Sequence, residues 1–160
     1  MEDNAIPFIG ALDVKSEREP MKIWGTLTNG HIKLATTPHI SATCVRVPVE
    51  DGHLAAVSVA FAKKPTAAQI IKAWKTFKNP LTKLNLPSAP NPFITYFEED
   101  DRPQTRLDRE IGNGMGIAVG RLRTDPILDW KFVGLSHNTI RGAAGGAILT
   151  AELLKEKGYL

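Results

Sequence analysis

Arg46 and His53 stand seven residues apart in HISATCVRVPVEDGHLAAVSVAF, residues 39–61. An arginine presents a rigid planar fork of donors that matches a carboxylate. A histidine exchanges a proton near neutral pH. The two together are equipped to hold a small carboxylate substrate and to move a proton on it. Asp51-Gly52 separates a β-rich approach, Ser41 to Val47, from a second alternating run, His53 to Phe61, and Asp-Gly in that setting is a hairpin signal. A two-residue turn sets Glu50 opposite His53 and puts Arg46, Pro48, Glu50 and His53 on one face of the ribbon. At about 3.3 Å per residue, Arg46 and His53 are then roughly 13 Å apart at Cα, a gap two long side chains can close around a small molecule. Pro48 cannot donate to a ladder, so pairing is expected to stop early and the loop to be wider. Taken alone, the pair also fits a solvated strand arginine and a turn histidine.

Other residue types with chemical potential are fewer. The single cysteine, Cys44, lies two residues before Arg46 and reads as a small buried hydrophobe, with a nucleophilic role as the alternative. His31, His39, His53 and His137 make no metal-ligand spacing with it, so no metal site is expected. Gly112-Asn113-Gly114-Met115-Gly116 has the wrong spacing for a dinucleotide fingerprint and leads into a strand. Gly142-Ala143-Ala144-Gly145-Gly146 lacks the Lys-Ser/Thr of a phosphate loop, and its small residues fit close helix packing instead.

The elements that must position these residues follow from periodicity and punctuation. Ser16-x-x-Glu19 reads as a capping box for a helix from Glu17 to Thr28, with Trp24 and Leu27 in its buried stripe and Gly30 at its end. Thr66-x-x-Gln69 opens a second helix with Ala67, Ile70, Ile71, Trp74 and Phe77 at helical spacing. Asn79 to Pro92 holds four prolines and reads as an extended excursion. Phe93 to Phe97 reads as a strand, and Glu98 to Asp101 as a solvated acidic turn. Met115 to Leu122 and Trp130 to Leu135 form a strand pair around Asp125-Pro126, and a final helix runs from Thr139 to Lys157. The expected class is α+β, a mixed and mainly antiparallel sheet with helices on one face. Ile117 and Val119 alternate with Ala118 and Leu122, so both faces of that strand need cover. With helices on one face only, the other is an association surface that a two-fold partner would close.

At 160 residues one compact domain is expected. The charge of +3 is dispersed, with no basic stripe interleaved with aromatics, so nucleic acid is not an expected partner. No run of about 18 apolar residues exists, so no membrane span is expected. The start MEDNAIPFIG is acidic and lacks the apolar core of a secretory signal. One cysteine excludes an internal disulfide and fits a reducing cytoplasm.

CVRVPVEDGH resembles the segment of aspartate-semialdehyde dehydrogenases that carries the substrate-carboxylate arginine and the acid–base histidine, with the same spacing. IPFIGALDVKSEREPMKIWG, RPQTRLDREIGNGMGIAVGRLR and GLSHNTIRGAAGGAILTAELLKEKGYL are similar to the same family in the same order, most of all to its archaeal and fungal-like branch. The resemblance implies a glyceraldehyde-3-phosphate dehydrogenase-like C-terminal domain that lacks the N-terminal NADP-binding domain and the family's nucleophilic cysteine. It implies His53 as acid–base group, Arg46 and Lys15 as substrate-binding residues for carboxylate and phosphate, and Asn138 at the nicotinamide end of NADP. It further implies a cytoplasmic homodimer or homotetramer acting on a small molecule, aspartyl phosphate, with this chain inactive by itself. Where the family has a glutamate three residues before the lysine, this chain has Leu12, with Asp13 beside it as a substitute. That departure keeps open a malonyl-CoA reductase-like enzyme, whose substrate has a carboxylate and no amino group. The non-enzyme alternative is an oligomerisation module or truncated product.

Overall fold

The computed structural model describes residues 3–160, and its backbone gathers into two compact units, one ending at Val49 and the other spanning Glu50–Leu160. The chain length implied one unit. The division falls just after Pro48, where the expected hairpin fails to form.

In the first unit, helix α1 spans Leu12–Ile23, and strands β1 (Thr26–Thr28) and β2 (His31–Lys33) pair antiparallel. The helix starts before the expected Glu17. Ala11 takes a left-handed backbone (φ 54°) and the Leu12 amide donates to the Ile9 carbonyl at 2.9 Å, so Ser16 falls inside the helix and caps nothing. The helix stops short of Thr28 because Asn29 and Gly30, at φ 49° and 78°, turn the chain into a hairpin. Two successive residues at positive φ are what a tight hairpin turn requires. Trp24 and Leu27, expected in a buried stripe, are instead exposed. Trp24 caps the helix, and Leu27 lies on a two-stranded ribbon. Ser41 to Val47 forms no hairpin strand. Arg46 makes a single isolated bridge, its amide and carbonyl bonded to those of Ile6 at 2.9 Å each.

The second unit is built on one mixed sheet with strand order β3-β6-β5-β4, comprising β3 (His53–Val59), β4 (Ile94–Tyr96), β5 (Ile117–Thr124) and β6 (Trp130–Ser136). β3 and β5 both pair antiparallel to β6, and β4 runs parallel to β5. The α+β expectation is met. The second run of the expected hairpin is therefore a strand, but its partner is β6, with His53 opposite Ser136 and Val59 opposite Trp130. Two facts explain the change. Pro48 has no amide to offer a ladder, and the Gly52 amide donates to a side chain of the last segment instead.

Helix α2 (Ala67–Lys75) carries the capping box read from the sequence: the Gln69 amide donates to Thr66 Oγ1 and the Thr66 amide to Gln69 Oε1. Its Trp74 packs on Phe132 and Tyr96, ring centroids 5.1 and 5.8 Å apart, on the sheet face that also holds Val57 and Val119. The opposite face is sealed at Ala118 and Leu135, 1% and 2% exposed, where the Arg102 carbonyl lies against Gly120. Short helix α3 (Thr105–Asp108) follows. The proline-rich excursion folds in part into a 3₁₀ turn over Pro80–Leu84. The last helix begins as a π-helical turn over Ile140–Ala144 and continues as α4 (Gly145–Glu156). Gly145 lies so close to Met115 that a Cβ would meet its sulfur, the close packing expected of the small-residue run. Among the described residues no helix is long and apolar enough to cross a membrane.

Candidate active site

In the first unit, Lys15 sits exposed in the first turn of α1 and Arg46 is exposed on the segment bridged to Ile6. The same helix grips that segment. Asp13 Oδ1 accepts from the Cys44 amide at 2.6 Å, and Glu17 Oε1 accepts from the Ala42 amide at 3.0 Å. A carboxylate accepting a backbone amide makes a charge-assisted bond, stronger than a neutral one. Asp13, offered from the sequence as a stand-in for a glutamate at position 12, thus has one oxygen committed to the backbone. Cys44 is half-buried, with Sγ 3.7 Å from Ser16 Oγ, so it is less enclosed than the expected buried hydrophobe.

In the second unit, His53 opens β3 with an exposed side chain, and the three residues before it are held from two directions. Gly52 has φ 111°, a backbone side chains disfavour, and its amide donates to Asn138 Oδ1 at 2.6 Å. Thr139 Oγ1 donates to Asp51 Oδ1 at 3.3 Å. From the other side, Arg109 Nη1 donates to the Asp51 carbonyl at 3.3 Å and Nη2 to Glu50 Oε2 at 3.2 Å. Glu50 is 86% exposed, so that ion pair is worth little by itself, and the bond to the carbonyl is the geometric restraint.

Two buried polar groups anchor the clamps. Asp108, 2% exposed, receives Nε and Nη2 of Arg102 as a fork and the Gln104 amide at 2.7 Å. Burial pushes its carboxyl up, but the guanidinium and the amide outweigh it and hold the group below the usual carboxylate range. This pins α3 directly beside Arg109. His137, 4% exposed, accepts the Thr139 and Ile140 amides on Nδ1, both at 3.3 Å, and sets Nε2 3.5 Å from Glu110 Oε1. Nδ1 as acceptor assigns the ring proton to Nε2. Glu110 in turn lies 3.6 Å from Arg109 Nε.

His53 and Asn138, both named from the sequence, thus belong to one network, joined through Gly52. Arg46 and Lys15 lie in the other unit. Arg109, Glu110 and His137 were not singled out from the sequence for such a role. The signal available was the density of charge in Arg106-Leu107-Asp108-Arg109-Glu110 just before a glycine-rich turn. An apolar cavity of about 450 Å³ opens between α2 and the far end of β3, lined by Val59, Phe61, Ile70, Trp74 and Trp130. Lys63 also reaches its lining, and none of Lys15, Arg46, His53 and Asn138 does. No cluster of His, Cys, Asp and Glu able to hold a metal occurs among the described residues.

Residues 1–141 match the family described as semialdehyde dehydrogenase, dimerisation domain. The chain belongs to that family. Among semialdehyde dehydrogenases it is 47% identical over 156 residues to the aspartate-semialdehyde dehydrogenase of Archaeoglobus fulgidus, covering 97% of this chain and 44% of that protein. It is 46% identical over 164 residues to that of Saccharomyces cerevisiae, covering 99% and 45%. The crystal structure of aspartate semialdehyde dehydrogenase with NADP from Candida albicans superposes with a TM-score of 0.90 at 39% identity, over 100% of this chain and 46% of that one. The chain spans a little under half the length of the curated relatives it matches.

Proposed function

We propose that this chain is the substrate-binding and acid–base half of an NADP-dependent aspartate-semialdehyde dehydrogenase, which reduces aspartyl phosphate to aspartate semialdehyde with release of phosphate. The observation that carries this is the 47% identity to an archaeal enzyme of that name across nearly the whole chain. In this reading the nucleophilic cysteine, held where an N-terminal NADP-binding domain meets this one, displaces phosphate to give a thioester; a thioester divides one hard step into two easier ones. Arg46 clamps the substrate carboxylate through paired donors, and Lys15 meets the phosphate with a compact ammonium. His53 moves the proton of the hydroxyl on the reacting carbon as general acid and base.

Asn138 fits a nicotinamide neighbour. Its Oδ1 is taken by the Gly52 amide, which leaves the side-chain NH₂ as a donor for a carboxamide oxygen. The backbone donors just after it are already taken by His137 Nδ1, so this terminus is suited to an amide ligand more than to a phosphate. When bound, the cofactor supplies hydride.

One observation favours a second reading, an acyl-thioester reductase of the malonyl-CoA type. Leu12 cannot pair with a substrate ammonium, and Asp13 is engaged by the Cys44 amide. Assay of the whole enzyme that contains this chain, with each substrate and NADPH, separates the two. Turnover of aspartyl phosphate is expected, and turnover of malonyl-CoA alone would reverse the order. The 160-residue chain alone is expected to oxidise no NADPH with either, because it lacks the nucleophile.

A further inference from the structure

We propose that Arg109 is a positioning residue for His53, acting through the Glu50–Gly52 turn. The proposal rests on the reading of His53 as the acid–base group. The turn has few restraints of its own: Pro48 donates no amide, Glu50 is exposed, and Gly52 sits at φ 111°. What holds it is external. Asn138 takes the Gly52 amide and Arg109 takes the Asp51 carbonyl, so the two bonds grip the N–H and the C=O of one peptide group, Asp51–Gly52, from opposite sides. His53 is the next residue and the first of β3, so the direction of its Cα–Cβ bond follows from where those two bonds put the peptide.

Arg109 is built to hold a position more than to supply charge. Its side chain is 19% exposed, its Nη1, Nη2 and Nε face three different acceptors, and the helix before it is pinned by the buried Arg102–Asp108 fork. Its third neighbour, Glu110, faces the His137 ring that organises the start of the Asn138 segment. Arg109 therefore links the two clamps. A lysine cannot reproduce this, since one compact ammonium replaces a planar fork. Misplacing a catalytic group by about 1 Å costs on the order of 10²-fold in rate, whereas substrate binding through Arg46 and Lys15 does not pass through Arg109.

A double-mutant cycle in the whole enzyme tests this, with Arg109→Met made in the wild-type and His53→Gln backgrounds. Arg109→Met alone is expected to lower kcat on the order of 10- to 100-fold, with KM nearly unchanged. In the His53→Gln background it is expected to cost almost nothing more, because the group it positions is gone. The same fractional loss in both backgrounds would show a merely structural role and overturn the proposal, as would wild-type kcat in Arg109→Met or a loss confined to KM. If His53→Gln itself keeps wild-type kcat, the acid–base reading falls first, an outcome that does not involve Arg109 and is read separately. Should Arg109→Met fail to fold by circular dichroism, Arg109→Lys runs the same cycle, with a smaller loss expected in the wild-type background and none in the other.

Discussion

At the scale of single residues, the tasks proposed for Arg46 and His53 are separable, and the split between kcat and KM reports which is which. In the whole enzyme His53→Asn is expected to lower kcat roughly 10²- to 10⁴-fold, the usual cost of a lost acid–base group. Arg46→Leu is expected instead to raise KM by on the order of tenfold or more, each factor of ten being about 1.4 kcal/mol of binding. Steady-state kinetics at saturating NADPH decide it: wild-type kcat in the first variant together with wild-type KM in the second would refute both roles. Both residues were singled out from their types and spacing. The path between them was not legible there. The hairpin expectation assumed that an Asp-Gly turn pairs its flanking runs, but Pro48 withheld an amide and the Asn138 side chain captured the one at Gly52. A side chain 86 residues away in sequence outcompeted the local partner, and nothing within the segment signals that.

Among the elements, the turn between β5 and β6 is the joint that secures the outer strand. Asp125 Oδ1 accepts the Ile127 and Leu128 amides, and its Oδ2 accepts the Ser58 hydroxyl of β3 at 2.8 Å. The Leu128 amide, then the Ile127 amide and the Ser58 hydroxyl, bring its carboxyl down to about 2 from the usual 3.8. A carboxyl depressed in the folded state contributes stability that is present above its ordinary value and lost as pH falls through the folded one. Asp125→Ala is therefore expected to melt at a lower temperature than wild type at pH 7, with the gap closing between about pH 4 and pH 2. Thermal melts across that range check it, and a gap independent of pH would contradict the assignment. The helices teach the same lesson about local signals. Thr66 and Ser16 both begin an S/T-x-x-Q/E pattern, yet only Thr66 caps, because its backbone is extended at φ −77°, ψ 158°. At Ser16 the helix instead runs back through Leu12-Asp13-Val14 to Ala11.

For the molecule as a whole, the dimerisation-domain family and the exposed part of the sheet point to self-association. On the face away from α2, Leu54 is 53% exposed, Ala56 and Ser58 are exposed and Val133 is half-buried, while Ala118 and Leu135 on the same face are sealed. An apolar strip beside a finished core is what a second copy covers. Light scattering at micromolar concentration is expected to give a discrete dimer or tetramer of the 17.5 kDa chain. A clean monomer would refute association through this face, and heterogeneous aggregates would indicate pairing along the open edge of β3. The amino-acid sequence by itself determined the family, the residues with chemical potential, helix α2 and the β5–β6 pair, because a capping box, an amphipathic period and a strand alternation are local properties of the chain. Only the tertiary structure decided the partner of β3, the division after Val49 and the clamp of Arg109, Asn138 and His137 around the turn before His53. Each of these depends on bonds between residues far apart in sequence, where competition for a single amide or carbonyl is settled by what the fold brings within 3.5 Å.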